Sequence, residues 1–394
     1  MSELKIKSYE THVLGTPWRN ITYLILTTEE GLTGVGESRV VGRTHSVIEL
    51  LKDTERHFIG KSAHDIEALY ERFTLDDFNV PGSEAITAYS LVEMACLDLK
   101  AKSMNVPVYQ LLGGKLRDKI TAYANGWYTV EREPVQFAAA AKKVTKDGYK
   151  ALKFDPFGKG NLELTRAEFN KSLDLIVAVH EAIPKDTQIL LEMHGRFAPH
   201  QALEIANAVY DLGIRPGWIE EPCRPTDLQG HAFVRSKSKI PVATGERLYT
   251  PKDYKELFEK DTADIIQIDP TNFGVWQAMK LIQTAETHSK MIAPHNVGGV
   301  ISTLAGIHLA TACRPFKILE HFNDYADKHV KQAADWYPEV INGEFQVPNK
   351  PGWGVTLNLD FIKANPPAMN DSIILDPGLN MFKKDNWHER EQKQ

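Results

Sequence analysis

A chain of 394 residues, 42% hydrophobic and 25% charged, is a soluble globular protein too long for one ordinary core and suited to a large domain plus a smaller unit. Its net charge of −6 is spread along the chain with no basic tract, which argues against a nucleic-acid partner, and no run of about 18 apolar residues exists to span a membrane. Three cysteines, Cys96, Cys223 and Cys313, are far apart and lack metal spacing, so they read as reduced thiols of a cytoplasmic protein. The first ten residues show no signal-peptide apolar region.

The chain opens with β-rich runs at Leu4–Leu14 and Ile21–Thr28, and Gly31, Gly34 and Gly36 punctuate turns between short strands. Helical spacing follows from Ser46 to Phe73 and from Ser83 to Ser103, the second stretch with mostly one apolar face. Residues 1–118 are therefore expected to form an α+β unit.

Beyond Arg117 the texture becomes a regular alternation. Short apolar runs stand at 120–124, 151–154, 189–191, 218–219, 242–243, 265–268, 291–293 and 317–319. Helical patterns lie between them, for instance at 135–145, 169–182, 202–212, 275–288 and 304–313. Eight strands with seven crossovers, at a pitch of roughly 25–35 residues, make a chain of βαβ units. An open doubly wound sheet gives the same alternation, but eight units favour a closed (β/α)7β barrel over 119–334. The stretch 335–394, rich in proline and glycine before a charged tail, is expected to return to the first unit.

The residues after each apolar run carry the chemistry. Glu192, Glu220 and Glu246 follow three successive runs, and Asp269, His295 and Glu320 follow the next three. In a parallel barrel these ends converge on one mouth. One such acid alone would read as a solvated loop residue; three around one point repel unless protonated or bridged by a cation. Oxygen-only ligands point to Mg²⁺, with Mn²⁺ a possible substitute. Glu221, next to Glu220, reads as a supporting group rather than a ligand.

At these residues the sequence resembles the enolase superfamily, in its mandelate racemase-like branch. The motifs are Trp-Ile-Glu-Glu-Pro around Glu220 and Gly-Glu-Arg around Glu246; the likeness spans nearly the whole chain. It implies a (β/α)7β barrel under an α+β cap, with Glu192, Glu220 and Glu246 on Mg²⁺; many members carry Asp at the first of these positions. It also implies a dyad of Asp269 and His295, with Glu320 in the place of an acid that bonds the substrate carboxylate. Many members carry Lys-x-Lys on the second barrel strand, and here Lys153 is followed by Asp155 instead of a second lysine. That disfavours a two-base racemase.

Tyr-Ala-Asn-Gly-Trp-Tyr (123–128), Leu-Lys-Phe-Asp-Pro-Phe-Gly (152–158) and His-Gly-Arg-Phe (194–197) are similar to phrases of the gluconate and galactonate dehydratases. The implied reaction is C2 proton abstraction from an aldonic acid by His295 and loss of the 3-hydroxyl, giving a 2-keto-3-deoxy acid. Gluconate is the first choice and galactonate the next; the alternatives are a racemase or epimerase of a 2-hydroxy acid, or a non-catalytic barrel. His194, two residues past Glu192 and so on the same face, is expected either to protonate the leaving hydroxyl or to donate to substrate. Glu320 is expected as a carboxylate anchor or as a buried ion-pair partner of Lys153 or a nearby Arg, and Lys153 as a charge near the substrate carboxylate or a structural salt bridge. Asp155, Arg196, Trp18 and Asn79 are candidate substrate contacts, the last two in loops of the cap, where Trp18 would equally well pack against the cap core. The expected partners are a small sugar acid and further copies of the chain in a homo-oligomer.

Overall fold

A computed structural model describes residues 3–367, apart from 17, 18, 41, 77, 79 and 327. The expectations for Trp18 and Asn79 lie outside the described residues.

The first unit is a three-stranded antiparallel sheet, β1 (Ile6–Gly15), β2 (Asn20–Thr28) and β3 (Thr33–Ser38), in that order. Gly34 and Gly36, expected in turns, stand inside β3 instead. The helix Ser83–Ser103 lies so close to that strand that a Cβ on either glycine would run into the backbone carbonyls of Ala95 and Leu91. This helix is buried at every position from Ile86 to Leu99, not along one face, because the sheet covers one side and the second unit the other. The helical stretch expected over 46–73 divides into Thr44–Asp53 and Ile66–Thr74, separated by a short 3-10 turn at Glu55–His57.

The second unit carries the eight parallel strands. They are β4 (Lys119–Ala124), β5 (Ala151–Phe154), β6 (Gln188–Glu192), β7 (Ile219–Glu220), β8 (Val242–Thr244), β9 (Ile265–Ile266), β10 (Met291–Ile292) and β11 (Leu319–His321). Each pairs with the next from β4 to β10, and β11 pairs with β4. Between β10 and β11 the Ile292 N–H donates to Pro315 at 2.8 Å and the Lys317 N–H to Ile292 at 2.7 Å, which completes the ring. The chain belongs to the (β/α) barrel class with seven crossovers.

One residue from each strand region fills the inside: Tyr123, Ala151, Leu190, Trp218, Ala243, Ile265, Ala293 and Ile318 form a buried cluster of their own. Side chains on a strand alternate with period two. Two residues further on, the inward positions are Asn125, Lys153, Glu192, Glu220, Gly245, Gln267, His295 and Glu320. The apolar floor thus dictates which residues face the mouth.

After β11 a hairpin, β12 (Val340–Ile341) and β13 (Glu344–Gln346), adds to β4 in antiparallel register. The chain then reaches the first unit. Trp353 donates its backbone N–H to Asp98 at 2.9 Å and its indole N–H to the Val35 carbonyl at 2.8 Å, and Gly15 donates to Asn365 at 2.9 Å. Among the described residues no helix is long and apolar enough to cross a membrane.

Candidate active site

Glu192, Glu220 and Glu246 each offer an oxygen within 4.8 Å of the other two. Glu220 is fully buried and takes the Trp218 indole N–H at 2.8 Å; Glu192 takes the His194 backbone N–H at 2.7 Å. Lys153 reaches into the same cluster. Its Nζ bonds Glu220 and lies 3.2 Å from Glu192 and 3.0 Å from Glu320. Burial pushes the Glu192 carboxyl up to about 7 and Glu220 well above the carboxylate range, even with that ammonium beside them. Against its own burial, the three acids hold the Lys153 ammonium firmly protonated.

The charges do not balance from the protein alone. Counting Glu192, Glu220, Glu221, Glu246, Glu320 and Asp269 gives six acids, faced by Lys153, Arg247 and His295. An excess of converging, oxygen-only donors, two of them buried and the third partly exposed, fits a hard divalent cation. Among the described residues no thiol joins the triad, and the one imidazole that faces it, His295, is held through Nδ1 by Asp269.

His295 follows β10 and is 4% exposed. Its Nδ1 pairs with Asp269 Oδ2 at 2.8 Å, while Asp269 Oδ1 accepts from the Thr271 N–H at 2.9 Å and its hydroxyl at 2.6 Å. The carboxylate is therefore fixed in plane and fixes the ring in turn. The other nitrogen, Nε2, faces the acid cluster, 3.1 Å from Glu246 and 3.6 Å from Glu320. Burial alone would lower the imidazole's pKa; Glu246, Glu320 and Asp269 together raise it to about 9.

Glu320 is fully buried and takes the Asn125 side-chain amide at 2.7 Å and the Asn296 N–H at 3.0 Å, besides Lys153. The ion pair with Lys153 is therefore formed, whatever else the carboxylate contacts. Asn125 lies in the phrase 123–128 but is not among the site residues expected from the sequence. Its signal was available in the period-two step from Tyr123.

His194 departs from the strand alternation expected of it. It and Gly195 have φ of +50° and +61°, so the chain turns sharply once β6 ends at Glu192. The ring swings towards β5, where Nδ1 lies 2.6 Å from Asp155 Oδ2. Arg196 Nη2 grips both oxygens of the same Asp155, at 2.8 and 2.6 Å. Burial opposes a charge there, yet Arg196 and His194 hold the Asp155 carboxyl down to about 2. Glu221 turns away from the acid cluster to Arg247, whose Nε donates to it at 3.1 Å.

Residues 136–361 match the enolase C-terminal domain-like family, and residues 15–113 match the mandelate racemase/muconate lactonizing enzyme N-terminal domain. The chain belongs to the mandelate racemase-like branch of the enolase superfamily. Solved relatives agree in shape over nearly the whole family fold. The mandelate racemase/muconate lactonizing enzyme of Jannaschia sp. CCS1 superposes with a TM-score of 0.86 at 28% identity, covering 93% of this chain and 98% of that one. The corresponding protein from Sulfitobacter sp. gives 0.87 at 27% identity, covering 93% and 96%. By sequence, the chain is 36% identical to the D-gluconate dehydratase of Thermoproteus tenax, over 86% of this chain and 69% of that protein. It is 32% identical to the D-gluconate/D-galactonate dehydratase of Picrophilus torridus, over 96% of each, and 29% identical to the D-xylonate dehydratase of Haloferax volcanii, over 86% and 83%.

Proposed function

We propose that the protein is a metal-dependent hydro-lyase that dehydrates an aldonic acid to a 2-keto-3-deoxy acid, with gluconate the first candidate and galactonate the next. The observation that carries this reading is the contact between two constellations. The Asp269–His295 pair borders the Glu192–Glu220–Glu246 triad, with Nε2 of the base 3.1 Å from Glu246. The names borne by the relatives from Thermoproteus tenax and Picrophilus torridus supply the substrate class.

Glu192, Glu220 and Glu246 would hold the cation, Mg²⁺ by preference and Mn²⁺ as a substitute. A divalent ion bound there supplies Lewis acidity that offsets the charge growing on the substrate carboxylate as C2 loses its proton. His295, which its acid neighbours hold protonated until a cation offsets their charge, would in its neutral form take that proton at Nε2. Asp269 orients the ring through Nδ1 and stabilises the imidazolium. His194, held by Asp155, delivers a proton to the departing 3-hydroxyl, and the enol product tautomerises to the 2-keto-3-deoxy acid. Lys153 and Glu320 sit side by side at the floor of the mouth, where Lys153 counters the carboxylate charge and Glu320 keeps the wall polar.

An epimerase on this scaffold needs a base on each face of C2. Lys153 is engaged by three carboxylates and Asp155 by Arg196, so β5 offers no free second base. A non-catalytic barrel has no use for the buried His–Asp pair. The test is a panel of aldonic and aldaric acids with purified protein and Mg²⁺, reading 2-keto acid. A metal-dependent hit names the sugar; silence across the panel, with metal binding intact, withdraws the reading.

A further inference from the structure

Two glutamates of the first unit are buried and stand outside the acid cluster. Glu37 ends β3 and Glu93 lies midway along the helix Ser83–Ser103; both are 0% exposed. Among the described residues neither forms a salt bridge with a side-chain cation. Each instead reaches across to the barrel and takes two peptide N–H groups with its two oxygens.

Glu93 accepts the N–H of Val275 at 2.9 Å on Oε2 and that of Trp276 on Oε1. These are the first two residues of the helix Val275–Thr287, which begins six residues after Asp269. The intervening turn Pro270–Phe273 is held from the same cap helix, where Ser90 donates to the Pro270 carbonyl at 3.2 Å. Glu37 accepts the N–H of Gly299 on Oε1 and that of Ile301 at 2.8 Å on Oε2. Gly299 stands four residues after His295, directly before the helix Val300–Ala312. A Cβ on Gly298 or Gly299 would come within 2.8 or 2.9 Å of the Glu37 oxygens, so this close approach needs both glycines. Arg19, also from the cap, bonds Asn323 Oδ1 at 3.1 Å and reaches the Gly298 carbonyl at 3.5 Å.

Among the described residues, the segments after β9 and β10, which carry the dyad, each receive a buried cap carboxyl at a helix start, whereas the buried Asp98 of the helix Ser83–Ser103 reaches the C-terminal return at Trp353 instead. A carboxyl at a helix start satisfies orphan N–H groups and favours the helix dipole. Here it also ties the segment after Asp269 and the segment after His295 to the same cap unit. We propose that Glu37 and Glu93 are positioning residues through which the docked cap sets the placement of His295 relative to Asp269. Burial raises their carboxyls, Glu37 to about 7 and Glu93 to about 8, while the peptide donors pull them down. Such groups are costly unless their bonds are complete, so cap and dyad segments hold together or loosen together.

The inference rests on His295 being the base of the proposed reaction, and its test separates the two. Glu37→Ala, Glu93→Ala and the milder Glu37→Gln and Glu93→Gln are made in the full chain. Hydrogen exchange by mass spectrometry, which needs no substrate, is expected to quicken in residues 268–276 for Glu93→Ala and 294–301 for Glu37→Ala, with the ends of β6, β7 and β8 unchanged. On an aldonate that the parent turns over, kcat falls roughly 10- to 100-fold while KM and Mg²⁺ affinity hold, as a misplaced base demands. The isotope effect from C2-deuterated substrate grows, because proton abstraction becomes more limiting. The glutamine variants keep one acceptor and retain more of kcat. Exchange that rises uniformly or not at all overturns the proposal, as does an isotope effect unchanged from the parent once kcat is corrected for the folded fraction. A parent that turns over no aldonate refutes the functional reading, and the exchange data still decide the clamp.

Discussion

Replacing Lys153 with methionine removes one charge from the centre of the acid cluster with little change of volume. Its Nζ is bonded to Glu220 and lies within 3.2 Å of Glu192 and 3.0 Å of Glu320, all three acids buried. Removing one partner of a buried ionic set leaves uncompensated charge and costs about 3–5 kcal/mol. In EDTA the Lys153→Met variant should therefore lose stability of that order. A divalent cation supplies what the ammonium supplied, and the variant binds it without a competing positive charge nearby. Saturating metal at about 100 times its Kd returns about 2.7 kcal/mol to any protein that binds it only when folded, and more to the variant if its Kd is lower. Thermal unfolding at fixed protein concentration, with EDTA and with Mg²⁺, reads both quantities. The gap between parent and variant is wide in EDTA and narrows with Mg²⁺. Coincident midpoints in EDTA, or a gap that Mg²⁺ leaves untouched, would refute the placement of Lys153 as the internal counter-charge of this cluster.

His295→Asn should lower kcat by roughly 10²- to 10⁴-fold while calorimetry still registers Mg²⁺, since the general base is lost and the three glutamates remain. Asp155→Asn removes the carboxylate that holds both His194 and Arg196, and kcat should fall about 10- to 100-fold, the range a charged hydrogen bond spans; an unchanged kcat would exclude His194 as a positioned acid. Burial holds the Glu93 carboxyl up at about 8 against an ordinary value of 4.5. Its contribution to stability is thus complete below pH 4.5 and is lost as pH rises towards 8. Glu93→Gln carries no such proton, so its unfolding free energy should gain on the parent's between about pH 5.5 and about pH 7.5, by at most about 1.4 kcal/mol per pH unit; parallel profiles would count against it.

Much of the site was legible because strand alternation is a strict rule. The inner floor from Tyr123 to Ile318 is apolar, and stepping two residues on gives Lys153, Glu192, Glu220, His295 and Glu320 without knowledge of the fold's details. Glu246 breaks the step. It stands three residues after Ala243, and Gly245, with φ of +137°, allows the shift beside the Gln267 backbone. His194 could not be aimed from sequence, because alternation ends where φ turns positive. The glycines of β3 looked like turn residues because a close helix and a turn ask for the same missing Cβ. Glu37 and Glu93 gave no signal at all. Their partners are 262 and 182 residues away along the chain, and only the docking of cap on barrel brings them together.

The central claim is metal-assisted loss of water initiated at C2. The most direct measurement is proton NMR of gluconate, or of whichever aldonate the panel selects, incubated in D₂O with the protein and Mg²⁺. The account predicts that the C2 proton signal disappears in step with the appearance of the 2-keto-3-deoxy acid, that EDTA or His295→Asn stops both, and that no C2-inverted aldonate accumulates. Solvent exchange with inversion at C2 and no loss of water would contradict it and make the protein an epimerase.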